Sequence, residues 1–169
     1  MKCYRNVCVA LVAAATLLTI PRTMRAQAGG RGRGDTANAA MQTRGKMAMG
    51  VDQYTSTHHF DSFADGGRIE LVRDMDDSAG VAQIRAHLKE ITVAFKKGDF
   101  STPAFVHMRD VPGTRDMAAL RAKITYTMRE LPRGGEVRIT SADTAAVRAI
   151  HEFMAFQRQD HHAGGAIRP

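Results

Sequence analysis

Histidine is the residue type with the widest chemical reach in this chain. There are seven: His58, His59, His87, His107, His151, His161 and His162. From residue 47 onward the chain has neither cysteine nor tryptophan, so nitrogen donors dominate what it can offer a ligand. Neutral imidazole suits Zn, Cu, Fe, Ni and haem iron. The spacings that identify a metal or haem site on sight are missing: there is no HExxH, no CxxCH and no paired CxxC. His151-Glu152 begins a zincin pattern, but alanine stands at 155 where the second histidine belongs. Other catalytic templates fit less well. Asp61, Asp65, Asp74, Asp76 and Asp77 fall around a turn and a helix cap, where carboxylates are expected anyway. Ser62 and Ser78 lack the glycine-flanked elbow of a hydrolase nucleophile, and GGRGRG has no preceding strand to make it a phosphate loop.

Two long amphipathic helices must position most of these imidazoles. In the first, Val81, Ile84, Leu88, Ile91 and Phe95 recur at helical steps behind an Asp76 or Asp77 cap. In the second, Val147, Ile150, Met154 and Gln157 do the same behind Asp143, with Phe153 alongside. His87 and His151 border these stripes, so the two imidazoles are expected to converge as central ligands. His161 lies ten residues beyond His151, roughly 15 Å along a straight helix. It is therefore expected to be peripheral. His58 or His59 faces the pair from a strand, whose pleat sends neighbours to opposite sides. His107 sits in a connecting segment, 98–113, that can fold over the site.

Each helix follows a hairpin. TSTHHFDSF and RIELVRD flank Asp65-Gly66-Gly67, and two alternating runs flank Pro132-Arg133-Gly134-Gly135. The order is strand, strand, helix, short helix (114–123), strand, strand, helix. The expected fold is α+β: two ββα repeats forming a four-stranded antiparallel sheet, with two long helices on one face and a short connecting helix. The other face carries Thr and Arg, and is either exposed or the contact of a homodimer.

Three segments divide the chain. Residues 1–28 have the layout of a secretory signal peptide: Lys2 and Arg5, a 14-residue apolar run from Val7 to Ile20, then Ala26-Gln27-Ala28. An uncleaved anchor is the alternative, although a spanning helix needs about 20 residues. Cleavage would leave no cysteine, no stable membrane insertion, and a periplasmic or secreted protein. Residues 29–46 read as a flexible basic linker, and 47–169 as a single α+β domain. The net charge of +7 belongs to the first two segments. From Met47 onward 16 basic residues balance 16 acidic ones, which leaves nucleic-acid binding without its electrostatic drive.

The pieces THHF, AHLKE, KKGDFSTP, His107 with Val111-Pro112-Gly113, LPRGG, and AIHEF to QDHHA resemble a family of small bacterial proteins labelled aspartate carbamoyltransferase. The resemblance covers most of Thr55 to Gly164. It implies histidines of common importance at His58, His87, His107, His151 and His161. The label itself implies a carbamoyl-phosphate site, yet the chain has no Ser-Thr-Arg-Thr loop to cradle the phosphate and is too short for such a catalytic chain. The expected function is an exported protein binding a transition metal, Zn or Cu, or in second place haem, through these five histidines. The alternatives are a non-catalytic interaction or dimerisation module without metal, and an enzyme using His151 as general base.

Overall fold

The two glycine-rich turns organise the sheet. In the computed structural model, which describes residues 31–162, β1 (Ser56–Phe63) and β2 (Gly66–Arg73) form one antiparallel hairpin. β3 (Thr125–Leu131) and β4 (Gly134–Thr140) form the other. β2 and β4 then pair antiparallel with Ile69 opposite Val137, giving the order β1-β2-β4-β3. The join is symmetrical: Gly66 faces Thr140 and Gly134 faces Val72. Glycine is required at both places for close approach. A Cβ at Gly66 would strike the Ile139 carbonyl oxygen, and one at Gly134 the Leu71 carbonyl oxygen. The expected signal peptide, 1–28, lies outside the described residues.

Asp77 caps α2 (Ser78–Lys96) by accepting from the Gly80 N–H, and Asp143 caps α5 (Thr144–Asp160) by accepting from the Ala145 and Ala146 N–H groups. The stripe of α2 is buried from Val81 to Phe95. That of α5 buries Ile150, Phe153, Met154 and Gln157 together with Ala146, Ala149 and Phe156, leaving Val147 only half-buried. α5 lies across β1 and β2, while α2 packs chiefly on β3 and β4. Each repeat's helix thus covers the other repeat's hairpin, and one core runs between them. The fold is α+β, with a four-stranded antiparallel sheet as expected. Among the described residues no helix is long and apolar enough to cross a membrane.

Two segments depart from expectation. The connecting stretch contains α3 (Ser101–His107), ahead of α4 (Thr114–Ala119) and a 3-10 turn at Arg121–Lys123. More consequentially, the stretch read as a flexible linker over 29–46 is largely helix: α1 spans Arg31–Met49 and packs on α2 and α3. Met41 and Met49 are buried, and the Arg44 guanidinium donates to the Val106 carbonyl at 2.8 Å. Tertiary contact overrides weak local propensity here, since glycine costs a helix about 1 kcal/mol and α1 contains Gly32, Gly34 and Gly45.

The outer face of the sheet is a mesh of paired charges. Arg68 meets Asp61 at 2.5 Å, Glu70 at 3.1 Å and Glu136 at 3.4 Å, and Arg129 meets Glu136 at 3.0 Å. Arg138 pairs with Asp65 and lies over the Phe63 ring. Asp61 and Glu136 are buried beneath this mesh. The face read as either exposed or the contact of a homodimer therefore presents much charge already partnered within the chain.

Candidate functional site: a histidine-lined cavity

A cavity of about 80 Å³ opens where α1, α3 and the far end of α5 meet over β1, β2 and α2. Its floor and walls are apolar: Phe60, Ile69, Leu71, Leu88, Ile91 and Phe95 are among them. Four of the seven histidines line it: His58, His87, His107 and His161. No acidic residue is part of the lining.

Local structure accounts for each position. His58 lies on the helix-facing side of β1, two residues before Phe60, and the pleat turns His59 to the opposite face. His87 comes from the exposed flank of the α2 stripe and donates to the Ala48 carbonyl at the end of α1. His107 is the last residue of α3, which ends at Met108 in the left-handed region (φ 52). His161 caps the C-terminus of α5. The helix stops there, and this puts the imidazole over β1.

The rings form a chain. Those of His58 and His161 are stacked, with centroids 5.6 Å apart and 14° between planes, and His161 meets His107 edge-on at 4.9 Å. His107 is held at both nitrogens, Nδ1 by the Asp160 carboxylate at 2.5 Å and Nε2 by the Gln157 side-chain oxygen at 3.0 Å. The Nε2 of His58 lies 3.3 Å from the Met49 sulfur. Burial dominates the electrostatics. It pushes His58 down to about 3, with repulsion from His161, His87 and His59 adding to the effect. It pushes His161 down to about 4, where His107 and His162 lower it further and Asp160 opposes them. His87 is also lowered by burial, against Glu90 and the Ala48 carbonyl, which favour its charged form. These three imidazoles are neutral at pH 7, the protonation state that a metal requires.

His151 is not part of this cavity. Its Nε2 donates to the Phe63 carbonyl at 2.8 Å, from the middle of α5. The expected pairing of His87 with His151 is thus replaced by a grouping of His87 with His58, His107 and His161, and the residue expected to be peripheral is in the cluster. The spacing argument that separated His151 from His161 stands, but the site lies at the C-terminal end of the helix and not at its middle. Sequence reasoning also missed Met49, Asp160 and the α1 lining residues Gly45 and Ala48. The apolar and small residues at Met41, Gly45, Ala48 and Met49 form a helical stripe that could have revealed α1.

Among the described residues, no three His, Cys, Asp or Glu side chains already stand in position to hold an ion. The rings of His58 and His161 lie face to face, whereas nitrogen lone pairs point outward in the ring plane, so a shared ion requires rotation of at least one ring. Haem does not fit. Pockets for ligands of even drug size run from about 300 Å³ upward, well above the 80 Å³ found here. Comparison with known proteins gives no match: no family model fits the chain, and no similar curated protein or solved structure is found.

Proposed function

We propose that the protein binds a transition-metal ion in this cavity, with His58, His161 and His87 as the imidazole donors and His107 as a fourth contact. The signal-peptide layout of residues 1–28 supports an exported protein, with that activity outside the cytoplasm. One observation carries the reading: four of the five histidines singled out by the sequence line a single apolar cavity. Histidines merely filling a core would each need a separate hydrogen-bond partner and would have no reason to congregate, since like groups lower one another's proton affinity. Keeping three half-buried imidazoles neutral costs acid stability, and an ion that needs neutral donors recovers that cost on binding. The His107–Asp160 pair has the form of the outer support seen at metal sites, in which a carboxylate fixes an imidazole by one nitrogen and leaves the other turned to the site. Here that second nitrogen rests on Gln157, whose amide must swing aside for His107 to ligate.

Titration of the purified protein with Zn(II), and with Cu(I) under reducing conditions, tests the proposal. The paired substitution His58→Ala/His161→Ala should weaken binding at least a hundredfold, while His151→Gln should leave it unchanged. Equal binding by the double variant, or dependence on His151, would move the site elsewhere. No stoichiometric binding of either ion by the wild type would remove the function altogether.

A further inference from the structure

Resting on the metal reading, we propose that the cavity is selective for a soft monovalent cation, Cu(I) in the cell and Ag(I) as its redox-inert analogue, and that the Met49 thioether is one of its ligands. Three observations point this way. The first is distance. An ion held about 2.0 Å from an imidazole nitrogen and about 2.3 Å from sulfur sets those atoms about 3.7 Å apart at the roughly 120° of a three-donor site, a few tenths of an ångström from what is found. The His58 Nε2 to Met49 Sδ separation is 3.3 Å. Without metal the same spacing serves a weak N–H···S contact, so the two atoms face each other before any ion arrives.

The second observation is charge. The cavity wall contains no carboxylate: Asp160 bonds the outer side of His107, and Glu90 acts on His87 from outside the lining. The cost of moving an ion from water into a low-dielectric cavity rises with the square of its charge, so a divalent ion meets about four times the penalty of a monovalent one. Zn(II) sites usually offset that penalty with thiolate or carboxylate ligands or with three or more imidazoles already in position. This cavity provides neither. The third is donor softness and number. Thioether and imidazole together favour Cu(I) among the first-row metals, and a filled d-shell accepts two or three donors without demanding a fixed polyhedron. Met49 and His58 supply two once the His58 proton moves to Nδ1 and the pair opens by a few tenths of an ångström, and His161, stacked on His58, supplies the third by turning its ring.

The assignment gives α1 a role. Its last two residues touch the site, Ala48 through the His87 hydrogen bond and Met49 through its sulfur. Metal binding would therefore fasten α1 to the sheet.

The test compares Cu(I) and Zn(II) affinities by chelator competition in wild type, Met49→Leu and His58→Ala/His161→Ala, with X-ray absorption of the Cu(I)-loaded wild type. Leucine preserves volume at a buried site. The expected result is a sulfur shell near 2.3 Å in the wild type and at least a tenfold loss of Cu(I) affinity in Met49→Leu. A Cu(I) complex of nitrogen donors alone in the wild type overturns the thioether assignment whether or not the variant folds. So does unchanged Cu(I) affinity in a folded Met49→Leu protein. In either case loss of binding in the double histidine variant would leave the metal reading intact. Tighter binding of Zn(II) than of Cu(I) by the wild type overturns the selectivity, and binding of neither overturns both.

Discussion

The histidines of the cavity are its acid-labile residues. His58 and His161 stay neutral in the folded protein down to about 3 and 4, whereas in the unfolded chain they take up protons near 6.5. Folded-state values below unfolded ones mean that stability is fully present above about pH 6.5 and is lost as pH falls, each imidazole contributing about 1.4 kcal/mol per pH unit. His87 acts in the same direction. Urea midpoints at pH 7.5 and pH 5.0 should therefore differ substantially in wild type, and the difference should shrink in His58→Leu. Equal pH sensitivity in that variant would show that His58 is not held neutral by the fold. His151 behaves differently because it stands on a single backbone bond. Its replacement by glutamine, which can still donate to Phe63, should change stability by less than about 1 kcal/mol, measurable by the same denaturation. At this scale the sequence was informative about which residues matter and less so about which meet. Spacing alone showed that His151 and His161 cannot share an ion, but not which end of α5 lies over His58. That depends on the path of the helix across the sheet, a long-range property that residue types near either histidine do not encode.

Among the elements, the strands and the two long helices were legible because each carries its own periodicity and its own stop. The hairpins followed from Asp65-Gly66-Gly67 and Pro132 to Gly135, and the helix starts from Asp77 and Asp143. α1 was not, because its few apolar residues are separated by glycine and charge, and its order comes from packing against α2 and α3. It should consequently be the first element to open. Hydrogen exchange of its backbone amides is expected to be faster than that of α2 and α5, and to slow when Cu(I) binds. Exchange as slow as the core in metal-free protein would contradict this. Two core positions give sharper tests of the sheet. Tyr126 is buried with its hydroxyl lacking a hydrogen-bond partner among the described residues, and burial pushes that hydroxyl up. Tyr126→Phe should stabilise the protein by about 1 kcal/mol, read as a raised thermal midpoint. A drop would reveal a partner such as a buried water. Gly134→Ala should destabilise it by more than about 2 kcal/mol, because the new methyl group would collide with the Leu71 backbone and force β2 and β4 apart.

In the whole molecule, duplication builds the frame and asymmetry builds the site. Two ββα units exchange helices across one sheet, so α2 and α5 lie side by side with their stripes facing a common core. The cavity occurs where the symmetry fails: at the end of α5, beneath α1 and α3, neither of which has a counterpart in the second repeat. That location explains why pattern reading recovered the sheet and the long helices while assigning His151 a place it does not hold. The basic charge, concentrated ahead of residue 47, takes no part in the lining, which contains no Asp, Glu, Lys or Arg. Under the proposed function, this lining would hold one small, soft cation. The most direct measurement of that claim is the stoichiometry and affinity of Cu(I) binding by the purified protein, set beside those of His58→Ala/His161→Ala. One ion per chain in wild type, weakened at least a hundredfold in the double variant and unaffected by His151→Gln, is the result predicted. Binding that survives loss of His58 and His161 would contradict it.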